Sequence, residues 1–84
     1  MTLVELRADL RAIVAAEEQP RIDWALVEAM CLRIIDRLNT EGHPEYPYDV
    51  VYHFLDDVDI RRKDSSYATV QRERILTWLT SQNI

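Results

Sequence analysis

The stretch WALVEAMCLRIIDRL, residues 24–38, decides the fold. Wound at about 100° per residue, it gathers Trp24, Val27, Cys31, Ile34, Ile35 and Leu38 into one stripe. Leu26 and Met30 widen that stripe, and Leu32 stands apart. So wide an apolar arc predicts a central helix with several neighbours, running over about residues 21–39. Pro20 suits its opening, because the first helical turn has no partner for the amide hydrogen that proline lacks.

Upstream of it, Thr2 and Glu5 carry the capping-box spacing, in which each side chain satisfies a backbone N–H of the other residue. Leu3, Leu6, Leu10, Ile13, Val14 and Glu17 then recur at three- and four-residue steps, while Arg7, Asp9 and Arg11 turn away. These features predict a first helix over about residues 3–18.

Downstream, Gly42 is the only glycine of the chain and falls where a left-handed helix cap is expected, after Asn39, Thr40 and Glu41. Pro44 and Pro47 hold the next residues extended. Pro47 then opens a third helix with Asp49 in its first turn and Val51, Phe54, Leu55 and Val58 as its buried stripe. Ile60 leaves that stripe, so a stop or bend is expected between Asp57 and Asp59, with a short fifth helical turn allowed over residues 59–63. Asp64 or Ser66 can cap the last helix, whose stripe is read as Tyr67, Val70, Arg74, Ile75, Trp78, Leu79 and Gln82. Sustained apolar-polar alternation is missing, as is any Asn-Gly turn. The expected fold is all-α: a compact bundle of four main helices in a single domain spanning residues 1–84. Its core should be led by Leu6, Leu10, Ile13, Val27, Ile34, Phe54, Val70 and Trp78, with Trp24 also inside and Cys31 an inert buried thiol.

Composition fits that reading. Apolar residues at 48% and charged residues at 30% describe a globular chain that needs no staple. The start lacks the basic region and apolar run of a signal peptide, and no apolar stretch approaches the roughly 18 residues of a membrane helix. Cys31 is the sole cysteine and has no partner for an internal disulfide. A cytoplasmic protein without a membrane partner is expected.

Charge is unevenly spread along the chain. Residues 41–60 hold Glu41, Glu45, Asp49, Asp56, Asp57 and Asp59 with no Lys or Arg, whereas residues 61–84 set Arg61, Arg62, Lys63, Arg72 and Arg74 against Asp64 and Glu73. The whole chain carries a net charge of -5, which opposes a nonspecific grip on nucleic acid.

Three candidate sites follow from these patterns. Tyr46, Tyr48 and Tyr52, with Asp56, Asp57 and Asp59, form a candidate partner-binding surface, since tyrosines bury much apolar area while keeping a hydrogen-bonding tip. Asp49, His53 and Asp57 stand one turn apart in series on the third helix, a spacing that suits a divalent metal, with His43 or Glu45 as further ligands. The competing account of that face is plain solvation. Arg61, Arg62 and Lys63 could meet phosphate in a DNA-binding helical domain, although their position beside Asp56, Asp57 and Asp59 suggests charge pairing inside the protein.

No nucleophile elbow, phosphate-cradling glycine loop or other catalytic motif is present, and no cofactor is implied. The sequence therefore favours a noncatalytic interaction or regulatory module whose partner is a basic protein or a second copy of itself. A metal-binding protein or small metal-dependent enzyme at Asp49, His53 and Asp57 is the alternative. DNA binding through Arg61 to Lys63 comes third.

Overall fold

The structure is a computed structural model, and it describes residues 1–81. Five helices account for most of them: α1 (Leu3–Glu17), α2 (Trp24–Thr40), α3 (Tyr48–Asp56), α4 (Val58–Lys63) and α5 (Ser65–Ser81). No strand occurs among the described residues. The all-α bundle is thus present, and the short turn allowed after Asp57 is a separate helix, α4.

Local chemistry sets most of the boundaries. At α1 both halves of the capping box form, with Thr2 Oγ1 accepting from the Glu5 amide at 3.1 Å and Glu5 Oε1 accepting from the Thr2 amide at 3.0 Å. Gly42 takes φ +76 beyond the end of α2, a backbone region that costs glycine little. Asp64 Oδ1 accepts from the Tyr67 amide at 3.0 Å and so caps α5.

Pro20 does not open α2, which begins three residues later than its position predicts. Asp23 Oδ1 accepts from the Leu26 amide at 3.1 Å, and this side-chain cap places the start at Trp24. A carboxylate that satisfies an otherwise orphaned donor outweighs the preset φ of a proline.

The long helices α2 and α5 each pack against α1, α3 and α4, and they make no close backbone approach to each other. The core lies between them. Leu6, Leu10, Ile13 and Val14 meet Val27, Cys31, Ile34 and Leu38 from one side, and Val51, Phe54, Leu55, Ile75 and Leu79 close the other. Such side chains stabilise the fold by about 1.5–3 kcal/mol each. The Cα radius of gyration, 12.1 Å, agrees with the roughly 12 Å of a compact chain of this length, so the helices close on one core.

Two core expectations are corrected. Val70 is 49% exposed, and α5 instead buries Ala68, Gln71, Ile75 and Leu79. The helix is rotated so that an amide, rather than the nearest valine, faces inward, for a reason that lies in the polar cluster described below. Trp24 and Trp78 pack against the core from its margin rather than filling it. Gln82, the last residue of the expected stripe, lies outside the described residues.

Candidate functional site

Arg61 is the largest wholly buried side chain among the described residues. Its Nε lies 3.1 Å from both Glu17 carboxylate oxygens, and its Nη2 lies 3.0 Å from Glu17 Oε2. Nη1 donates to the Phe54 carbonyl and, at 2.8 Å, to Gln71 Oε1. Nη2 also points at Cys31 Sγ, 3.8 Å away. The guanidinium carbon sits 3.9 Å from the centroid of the Phe54 ring. Arg72 Nη1 reaches Glu17 Oε1 at 3.0 Å from the rim.

A buried guanidinium is tolerated only when its charge and its donors are matched. Glu17 supplies the charge, and Gln71 supplies an acceptor, which explains the rotation of α5. The Gln71 amide is held in turn, its Nε2 donating to Asp57 Oδ2 at 3.0 Å. The Tyr67 hydroxyl donates to the same oxygen at 2.7 Å, and this bond to a carboxylate raises the phenol pKa.

The expected nucleic-acid patch is therefore divided. Arg61 faces inward and its donors are spent on Glu17, Phe54 and Gln71, while Arg62 and Lys63 remain exposed. Arg62 and Lys63 line a groove with Trp24, Glu28, Val58 and Asp59, where acidic and basic groups are mixed.

The expected metal triplet is likewise not assembled. Asp57 closes the break between α3 and α4 and turns toward Tyr67 and Gln71. Asp49 and His53 stay on the exposed face of α3, beside Tyr67, Gln71 and Arg74. Among the described residues no three His, Cys, Asp or Glu side chains converge as ligands for one ion.

The tyrosines do come together. Between Gly42 and Pro47 the chain forms no helix or strand, and it lays His43, Glu45 and Tyr46 beside Tyr48 and Tyr52 of α3. A groove of about 280 Å³ results, lined by Asn39, His43, Glu45, Tyr46, Tyr48 and Tyr52. The Tyr48 and Tyr52 rings stack with centroids 4.8 Å apart and planes 8° from parallel. Tyr46 meets the His43 ring edge-on at 5.2 Å, and Tyr48 meets His53 edge-on at 6.0 Å. Burial, followed by the neighbouring Tyr48 and Tyr52 phenols, raises the pKa of Tyr46, so its hydroxyl remains protonated at neutral pH.

The acidic residues distribute around this groove unequally. Glu45 lines it, while Asp59 belongs to the groove shared with Arg62 and Lys63. Asp56 is exposed, and Asp57 is tied into the polar cluster. Glu41 is held by Arg37, which contacts it at 3.0 Å and also bonds Glu5 at 2.9 Å. Tyr48 and Tyr52 stand one helical turn apart, a spacing that puts both rings on one face of α3. The contributions of His43 and Asn39 depend on the path of the loop, for which sequence spacing has no signal.

Among the described residues no helix is long and apolar enough to cross a membrane. No family, curated protein or solved structure matches this chain.

Proposed function

We propose that this protein is a noncatalytic interaction module that binds a basic protein partner through the acidic segment 41–60, with Tyr46, Tyr48 and Tyr52 as anchors. The observation that carries this reading is the stacked Tyr48–Tyr52 pair. Tyr48 is 56% exposed even with Tyr52 stacked on it, and it stands in a stretch of twenty residues without a single Lys or Arg. Exposed aromatic area supplies affinity on association, and a local excess of negative charge raises the encounter rate with a basic surface. A cytoplasmic setting suits the same reading, because the only cysteine is buried against Arg61 and nothing pairs with it in the chain.

Charge reversal at exposed carboxylates tests the proposal. Asp49, Asp56 and Asp59 are changed together to Lys, leaving Asp57 in place because it holds Tyr67 and Gln71. Wild-type protein immobilised on beads should retain a basic partner that elutes with salt, and the reversed protein should lose it. Retention of the same partners by both proteins would overturn the reading. Sedimentation over a range of concentrations covers the case of a second copy as partner, which would appear as a dimer that the reversal dissociates.

A further inference from the structure

The loop after α2 and the first turns of α3 build a concave site from phenol rings and a carboxylate. We propose that the groove lined by Tyr46, Tyr48, Tyr52 and Glu45 is a subsite for an arginine side chain presented by the basic partner. This inference rests on the basic-partner reading and narrows it to one side chain at one place.

Three observations converge on that ligand. Ring faces carry negative potential, and here Tyr48 and Tyr52 lie nearly parallel at 4.8 Å, both lining the groove. Glu45 lines it too and, among the described residues, has no ion-pair partner, whereas nearby Glu41 is already matched by Arg37. The surrounding segment offers no cation of its own from Lys or Arg, so an incoming one meets no repulsion from that source.

The choice of arginine over lysine follows from shape. A guanidinium is planar and weakly hydrated, so it can lie flat on a tyrosine ring while its edge donates two hydrogen bonds to one carboxylate. An ammonium is compact and strongly hydrated and cannot meet both requirements at once. The Asn39 side chain, also in the lining, has a carbonyl oxygen that can accept from the remaining donors.

Nitrogen-15 NMR titrations with three acetylated pentapeptides, Gly-Arg-Gly-Arg-Gly and its lysine and citrulline counterparts, test the inference. Citrulline keeps the shape of arginine and removes its charge. The arginine peptide should bind at least about threefold more tightly than either counterpart, with the largest shifts at Glu45, Tyr46, Tyr48 and Tyr52. Tyr48→Leu and Glu45→Gln should each weaken it by roughly three- to thirtyfold. Tyr48 is exposed and Glu45 lies in the loop, so both variants should melt as the wild type does.

Equal binding of the arginine and lysine peptides, with shifts on Asp56 and Asp59 that neither variant alters, would overturn the subsite and leave the basic-partner reading standing. Shifts from none of the three peptides would overturn both. Equal binding of the arginine and citrulline peptides would show a groove that does not select charge, and would overturn the subsite as well.

Discussion

Arg61 and Glu17, 44 residues apart in sequence, face each other in the interior with both side chains withdrawn from water. Their contact ties α4 to α1, and through Gln71 and Phe54 it reaches α5 and α3. The bundle is therefore built around an apolar core and a polar post beside it. Such a post is expected to contribute little to net stability, because removing two charges from water costs nearly what their attraction returns. A register of α5 that turned Val70 inward would leave the guanidinium without the Gln71 acceptor.

Truncating one partner should therefore be far worse than truncating both. Arg61→Met leaves the Glu17 carboxylate with only Arg72 at the rim, and Glu17→Leu leaves a buried guanidinium without its counter-ion. Each single change is expected to cost about 3–5 kcal/mol in urea denaturation, whereas the double variant should recover much of the loss. Strictly additive losses would show that the two charges are not coupled.

The register of α5 is open to a direct comparison. Ile75→Ala removes a wholly buried side chain and should cost about 2–5 kcal/mol, while Val70→Ala lies on the half-exposed face and should change stability by no more than about 0.5 kcal/mol. Urea midpoints of the two variants decide it. A larger loss at Val70 than at Ile75 would restore the register expected from hydropathy.

These pairs also mark where the sequence is readable. The Thr2–Glu5 box, the left-handed Gly42 and the Asp64 cap are decided within four residues, and each is found where local chemistry puts it. The inward step of Glu17 is visible as spacing alone, since it falls on the same face as Leu10, Ile13 and Val14. Its meaning is not visible, because the cation it meets arrives from a helix 44 residues away. Arg61 sits within a run of three basic residues, and a run of charge ordinarily reads as a wet face. Only the tertiary partner separates Arg61 from the exposed Arg62 and Lys63. The aromatic site behaves the same way. Helical spacing pairs Tyr48 with Tyr52, whereas the groove also needs a loop that folds back.

Acid should weaken the contact between α1 and α2 through one exposed carboxyl. The pKa of Glu5 falls from 4.5 to about 2, first because its carboxylate accepts the Thr2 amide and next because it accepts from Arg37. A carboxyl with a depressed folded pKa contributes stability that is present above its unfolded value, and that contribution is lost as pH falls from about 4.5 toward 2. Glu5→Gln should therefore melt below the wild type at pH 6 and level with it near pH 2. A gap in melting temperature that persists unchanged at pH 2 would locate the loss elsewhere. Added salt should narrow the gap at pH 6, since the pair with Arg37 is exposed.

Cys31 shows the opposite sign at the other end of the pH scale. Burial raises its thiol pKa from 9.0 to about 11, against a smaller opposing pull from Arg61, whose Nη2 lies 3.8 Å from the sulfur. The folded chain therefore keeps a proton that the unfolded chain releases first. Stability from this group is full below pH 9 and declines as pH rises from about 9 toward 11. In the folded protein the sulfur is both protonated and wholly buried, so reaction with a disulfide reagent at pH 8 must wait for the helices to open. Labelling should be slow in buffer, accelerate with urea in step with unfolding, and follow the same midpoint as circular dichroism. Fast labelling in buffer at pH 8 would mean that α2 and α4 part without global unfolding, and the polar post between α1 and α4 would then not lock the bundle.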